Sequence, residues 1–234
     1  MINIDNIKKV VINLKRRPDR LEKFDREMNY IGWDYDIFEA VENIDGVDGC
    51  ALSHVKVVEN FLKTDAEHIM ILEDDCFFMP YAKNQLEKSL KELNTLEWDY
   101  FNLGPLLFRP INNYSDNLLD LSNLPPKNNH HSGIYGLACY IINRKFGEEF
   151  LKFKLENKKP IDVYLDEDVY PNFKCFSPSI PVITQRDGFS DNNNTVINNH
   201  YTMIHYWNLN CNTKINPSYH NIGFCEGEKV YPNI

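Results

Sequence analysis

The stretch HIMILEDDCFFM, residues 68–79, constrains this chain more than any other. Ile69, Met70, Ile71 and Leu72 form a short apolar run, bounded by charge and rich in β-branched side chains, so it reads as a buried strand rather than a helix. Glu73, Asp74 and Asp75 follow at once. Carboxylates inside a buried strand would be costly. The three are therefore expected where the strand leaves the sheet, at the carboxyl edge where open α/β sheets hold their ligands. Alternation along extended chain sends Glu73 and Asp75 one way and Asp74 the other. Hard oxygen donors clustered there suit Mg2+ or Mn2+ carrying a diphosphate. A solvated acidic turn is the other reading this stretch leaves open.

The 234 residues suffice for one substantial α/β domain or at most two small ones, and no repeat or linker divides them, so 1–234 reads as one domain. A net charge of -9 argues against a nucleic-acid surface, which needs a basic stripe. No run approaches a membrane span, and residues 1–10 lack the apolar core and flanks of a signal peptide. Six cysteines are dispersed without CxxC spacing, several in apolar runs. Reduced, buried thiols are expected rather than a disulfide frame or a zinc site. Together these features point to a soluble protein of a reducing, cytoplasmic compartment.

In chain order, residues 9–14 (KVVINL) read as a first strand. Pro18 and Asp19 suit the first turn of a helix carrying Leu21, Phe24, Met28 and Ile31 on one face and ending at Gly32. Arg16, Arg17 and Arg20 crowd this strand-to-helix turn, where backbone N–H groups favour anions, so the turn is either a phosphate site or a solvated basic turn. Residues 35–41 alternate like a second strand, 42–49 read as a polar loop, and 50–63 as a helix with Ser53 and His54 in its first turn. Beyond the acids, Pro80 opens a helix to Leu93, and 98–103 form another strand.

Periodicity fails over 106–131, as in a lid or binding loop. Residues 134–142 read as a buried strand, 144–153 as a helix, and 174–183, with Pro178 and Pro181, as an edge strand with turns. Between them, residues 161–168 carry a second acidic cluster, where Asp162 and Asp166 share a helical face and one carboxylate can enter a site while the others stay solvated. From His200 the chain is aromatic and weakly regular, and is expected to wrap over the domain.

Several of these pieces together resemble the glycosyltransferase family 25 pattern: residues 12–20 (INLKRRPDR), 49–54 (GCALSH), 72–75 (LEDD), 136–142, Pro160-Ile161-Asp162, and Gln185 with Ser190-Asp191. Order and approximate spacing agree from about residue 9 to residue 191. The resemblance implies a GT-A fold: a single Rossmann-like α/β domain with a mostly parallel central sheet flanked by helices. The single domain then divides into a donor-binding half at about 1–105 and an acceptor-side half at about 132–200, followed by the C-terminal wrap expected at 200–234. It implies a UDP-sugar donor, a Mn2+ or Mg2+ ion and an inverting transfer. By similarity Asn13, Arg16 and Arg20 belong to the donor nucleotide site, Ser53 and His54 to its border, and Glu73, Asp74 and Asp75 to the metal–diphosphate site. Asp162 falls near the reacting sugar, and Gln185, Ser190 and Asp191 on the acceptor side or beneath the diphosphate.

The resemblance implies hexosyl transfer, of galactose or glucose, to a hydroxyl of a glycan or a glycosylated, collagen-like protein. Such a transfer needs charge stabilisation on the leaving diphosphate and a base for the acceptor hydroxyl. Asp162 is the first candidate for the base, with Asp166, Asp191 and His54 behind it. The rival readings are a metal-dependent phosphohydrolase or nucleotidyltransferase using the same acids, and a catalytically inactive relative that binds glycans, nucleotide sugars or protein partners.

Overall fold

The computed structural model describes residues 2–123, 133–153, 155, 159–190 and 195–215. Strand β1 (Lys8–Asn13) leads through a basic turn into helix α1 (Pro18–Ile31). Pro18 fits the first turn because its missing N–H is not needed there, and Gly32 closes the helix at φ 83°, donating its N–H to Met28 O at 2.8 Å. Strand β2 (Asp36–Glu39) is short and largely exposed, and helix α2 (Gly46–Leu62) returns the chain to strand β3 (His68–Glu73). Next come β4 (Cys76–Phe78), α3 (Ala82–Leu93), β5 (Tyr100–Asn102), β6 (Leu106–Leu107) and β7 (Leu118–Asp120). β8 (Ile134–Tyr135), β9 (Cys139–Asn143), α4 (Arg144–Phe150) and α5 (Ile161–Tyr164) follow, the last running on as a looser helical stretch to Asn172. The described chain then forms β10 (Cys175–Pro178), β11 (Ile183–Gln185), β12 (Gly188–Ser190), β13 (Thr195–Ile197) and α6 (Asn199–Asn210).

Seven strands make the main sheet, in the order β2-β1-β3-β9-β5-β10-β7. β2, β1, β3, β5 and β10 share one direction while β9 and β7 run against them, so the expected mostly parallel α/β architecture holds. Each face carries its own core. Val10, Ile12, Ile69 and Ile71 point to the side covered by α2 and α4, against Val58, Phe61 and Phe146. Val11, Met70 and Leu72 point to the side covered by α1 and α3, against Phe24, Met28 and Leu86. Covered on both faces, β3 reads as an unbroken apolar run. Among the described residues no helix is long and apolar enough to cross a membrane.

Several expectations need correction. Helix α2 starts at Gly46, not Cys50, because the Asp45 carboxylate accepts the N–H groups of Val47 and Asp48 as an N-cap. Ser53 and His54 therefore sit two turns into the helix, fully buried, on a face shared with Val57 and Phe61, while Leu52 and Val55 are only half-buried. The supposed strand over 134–142 is broken by Gly136, whose φ of 88° favours a residue without a Cβ. Region 106–131 contains β6 and β7, and its residues 124–131 lie outside the described chain. β10 is an interior strand between β5 and β7, with Pro178 at its last position, where no further ladder N–H is required. His200 lies inside the regular helix α6.

Asp166 also departs from its expected solvated helix face. It is buried, and its Oδ1 accepts from Arg109 Nη2 at 2.7 Å and from the Ile134 N–H at 3.0 Å. This ion pair fastens the segment after β6 to β8 and to the helix following α5. Removing one partner of a buried pair strands the other charge, at a cost of about 3–5 kcal/mol. Asp166→Asn is expected to lower unfolding stability by about that amount in urea titration, and a variant as stable as the parent would show that the pair is not structural.

Candidate active site

A cleft of about 690 Å3 opens at the carboxyl ends of β1 and β3, with Glu73, Asp74 and Asp75 at its base. Arg16 and Arg20 come from the turn after β1, and Cys50, Ser53 and His54 from α2. Gly136 and Asp162 line another wall, and Gln185, Gly188 and Ser190 the rim beyond. Gly49 lets α2 come this close, since a Cβ there would lie 2.8 Å from Val41 O. Ser53 Oγ completes that junction, accepting the Val41 N–H at 2.8 Å and donating to Gly49 O at 2.7 Å.

Strand parity distributes the acids. Glu73 continues the Ile69–Ile71 row and emerges on the α2 side, where His54 Nε2 lies 3.2 Å and Cys50 Sγ 3.7 Å from its Oε1. Gln185 Nε2 donates to the other oxygen, Oε2, at 3.0 Å. Asp74 continues the Met70–Leu72 row and emerges on the α1 side. There Arg20 Nη1 donates to Oδ1 at 2.8 Å and Asn13 Nδ2 to Oδ2 at 2.7 Å. Asp75 sits in the turn before β4, 3.9 Å from Arg20 Nη1. Its Oδ1 is buried without a hydrogen-bond partner among the described residues.

These partners divide the protons. Burial alone would raise the Glu73 carboxyl, but the hydrogen bond and charge of His54, then Arg20 and Cys50, hold it below the ordinary range. Asp74 is raised by burial, which Arg20 and Asn13 only partly offset. Asp75, desolvated and facing the Glu73 charge with only partial relief from Arg20, is pushed up to about 7. A buried carboxylate oxygen with no donor, beside a second carboxylate, is what a hard divalent cation would satisfy, so the residues fit Mn2+ or Mg2+ with Asp75 as principal ligand and Glu73 next to it. Both Asp74 oxygens are held by Arg20 and Asn13.

Arg20 also donates to Phe189 O at 3.0 Å, whereas Arg16 is half-exposed on the cleft wall with Nε 3.4 Å from Glu42. Asp162 opens α5 after Pro160, its Oδ1 accepting the Val163 N–H at 2.9 Å, and burial raises its carboxyl against that bond. The Glu73 charge adds to the rise, and both acids line the cleft. Asp166 lies away from the cleft in its ion pair, and Asp191 lies outside the described residues.

Sequence reasoning passed over Cys50 and the residues that aim its neighbours. Tyr140 Oη is 2.8 Å from His54 Nδ1, and Glu27, buried in α1, accepts from Arg186 and from the Phe78 N–H. With the Arg186 N–H bonded to Asp75 O at 2.8 Å, these contacts fix β11 and its Gln185 against the acids. The only sequence signal was the unexplained polar type of these residues within apolar surroundings.

A model described as glycosyltransferase family 25 (LPS biosynthesis protein) matches residues 44–165. A glycosyltransferase 25 family member of Drosophila melanogaster is 26% identical, covering 77% of this chain and 33% of that protein. One from Aedes aegypti is 27% identical over 40% of this chain and 20% of its own. The chain thus spans a third or less of the length of these relatives. A solved glycosyltransferase involved in glycosylation of the major capsid of PBCV-1 has a TM-score of 0.47 at 12% identity, covering 73% of this chain and 80% of that one.

The strained acid is measurable. An unfolded aspartate titrates near 4, while the folded Asp75 titrates at about 7, so between these values the folded protein holds a proton that the unfolded chain releases. Stability is therefore lost as pH rises through that window and stays low above it. Asp75→Asn, which cannot ionise, should melt higher than the parent at pH 8 in chelator, by at least about 1 kcal/mol or about 2–4 °C, with the gap closing toward pH 4. A pH-independent difference in melting temperature would refute this charge assignment.

Proposed function

Since the chain belongs to glycosyltransferase family 25, we propose that it transfers a hexose from a UDP-sugar, with inversion, to a hydroxyl of a glycan or glycosylated protein. The observation that carries this reading is one cleft with two chemically different walls. The Asp74–Arg20–Asn13 cluster and Asp75, with its unpartnered oxygen, lie at its base, and the half-buried Asp162 lines the same cleft. The base of the cleft suits a diphosphate with its cation, and the Asp162 carboxylate suits a nucleophilic hydroxyl.

In the transfer, the acceptor oxygen bonds to the anomeric carbon while the bond to the diphosphate oxygen breaks, and the hydroxyl proton passes to Asp162. Burial supports this role for Asp162, because a carboxylate raised above its ordinary range is a stronger base, and the Val163 N–H fixes its direction. Arg16, exposed on the wall, would exchange its Glu42 contact for a phosphate oxygen, whereas Arg20 positions Asp74 and Asp75. A Mn2+ or Mg2+ ion held at Asp75 and Glu73 would neutralise charge on the departing diphosphate. Gln185, bonded to Glu73, and Ser190 on the rim border the same space.

Two experiments test the scheme. Calorimetric titration of UDP with Mn2+ should give about tenfold weaker binding in Arg16→Ala with an unchanged melting temperature, since one charge-assisted contact is worth about 1.5–3 kcal/mol. Arg20→Ala should lose both affinity and stability, because Asp74 is left buried without its cation. Normal UDP affinity in both variants would remove the phosphate role of the turn. Asp162→Asn should keep near-parental UDP-sugar binding and melting temperature yet lose about a hundredfold or more in transfer, or in donor hydrolysis where no acceptor is at hand. Parental turnover in that variant would place the base elsewhere.

A further inference from the structure

Outside the oxygen ligands at Asp75, the cleft holds a second and chemically different cluster. Cys50 Sγ, His54 Nε2 and Glu73 Oε1 all lie within 4.8 Å of one another. The thiol is 3.7 Å and the imidazole nitrogen 3.2 Å from the same carboxylate oxygen. Tetrahedral Zn2+, with bonds of about 2.3 Å to sulfur and about 2.0–2.2 Å to nitrogen or oxygen, spaces its ligands about 3.3–3.8 Å apart, so little adjustment is required. Cys50 and His54 are one turn apart on α2 and therefore share a face. Tyr140 Oη, 2.8 Å from His54 Nδ1, fixes the ring from behind, as outer partners do for metal-bound imidazoles. A sulfur, a nitrogen and an oxygen donor are thus gathered closely enough for one ion to take the place of the hydrogen bonds that now join them.

We propose that Cys50, His54 and Glu73 bind a borderline-soft divalent cation of the Zn2+ or Co2+ class, at a position on the α2 side of Glu73 that shares only this carboxylate with the hard-oxygen position at Asp75. On binding, Cys50 gives its thiol proton to solvent and ligates as thiolate. His54 likewise gives its Nε2 proton to solvent and ligates through Nε2, with its remaining proton on Nδ1, donated to Tyr140 Oη. Glu73 supplies the carboxylate. The ion's further position faces the cleft, because all three ligands line it. A thiolate, imidazole and carboxylate set favours Zn2+ over Mg2+ by ligand softness, so the two positions differ in the ions they select.

Titration of the intact chain with Co2+ tests this without any transfer assay. The parent should develop a thiolate-to-cobalt charge-transfer band with one ion per chain, bleached by Zn2+ and unaffected by excess Mg2+. Cys50→Ser should lose the band and bind at least about a hundredfold more weakly, since even outer partners are worth about 10–100-fold. Tyr140→Phe should weaken binding by about 10–100-fold while retaining the band. Asp75→Asn should retain both band and affinity. Cys50→Ala serves the same purpose should the serine variant not fold. A parent without the band, a band that survives loss of the Cys50 thiol, or a band lost in Asp75→Asn would overturn the proposal.

Discussion

Alternation along the last residues of β3 governs the chemistry of the cleft. Ile69 and Ile71 are committed to the core beneath α2 and α4, and Met70 and Leu72 to the core beneath α1 and α3. Glu73 and Asp74 must then emerge on opposite faces, each meeting a different helix. The α2 side offers an imidazole and a thiol, and the α1 side offers a guanidinium with the Asn13 amide. A slip of one residue in this strand would exchange the partners and bury each carboxylate against the wrong face. Apolar packing far from the site thus sets which acid meets which base.

The third acid is where local consistency gives way. Two of three adjacent carboxylates are neutralised by dedicated partners, while Asp75 keeps a buried oxygen without a donor and a carboxyl shifted upward by desolvation and by Glu73. Folding tolerates this because the surrounding frame is overdetermined. Gly49 admits α2, the Glu27–Arg186 contact fastens α1 to the chain beyond β11, and the Arg186 N–H holds the turn at Asp75. Departures of this kind concentrate where a ligand is to be bound.

The same cleft carries two ligand chemistries side by side. Glu73 belongs to both, facing Cys50 and His54 with one oxygen and Gln185 with the other. Its ionised state under the influence of His54 and Arg20 raises its neighbour Asp75, and its field reaches Asp162 in the same cleft. A change at α2 is therefore felt at the acidic base through one shared carboxylate, with no movement of the sheet required.

Periodicity and punctuation determined much of this protein from sequence alone. The apolar run of β3, the Pro18 start and Gly32 end of α1, and the acids at a carboxyl edge are consequences of neighbours in the chain. The start of α2 was misread because Asp45 and Gly46 look like a turn, and only the bonds from Val47 and Asp48 reveal the cap. Asp166 resembled a solvated helix acid, and its role depends on Arg109, 57 residues away in sequence. Likewise the reversed β9, which brings Tyr140 to His54, and β11, which brings Gln185 to Glu73, exist only through long-range pairing. Backbone preference is local, so it is written in the sequence. Charge neutralisation and burial depend on what the folded chain places opposite, so tertiary structure alone decided which polar residues are partners and which acid is left strained.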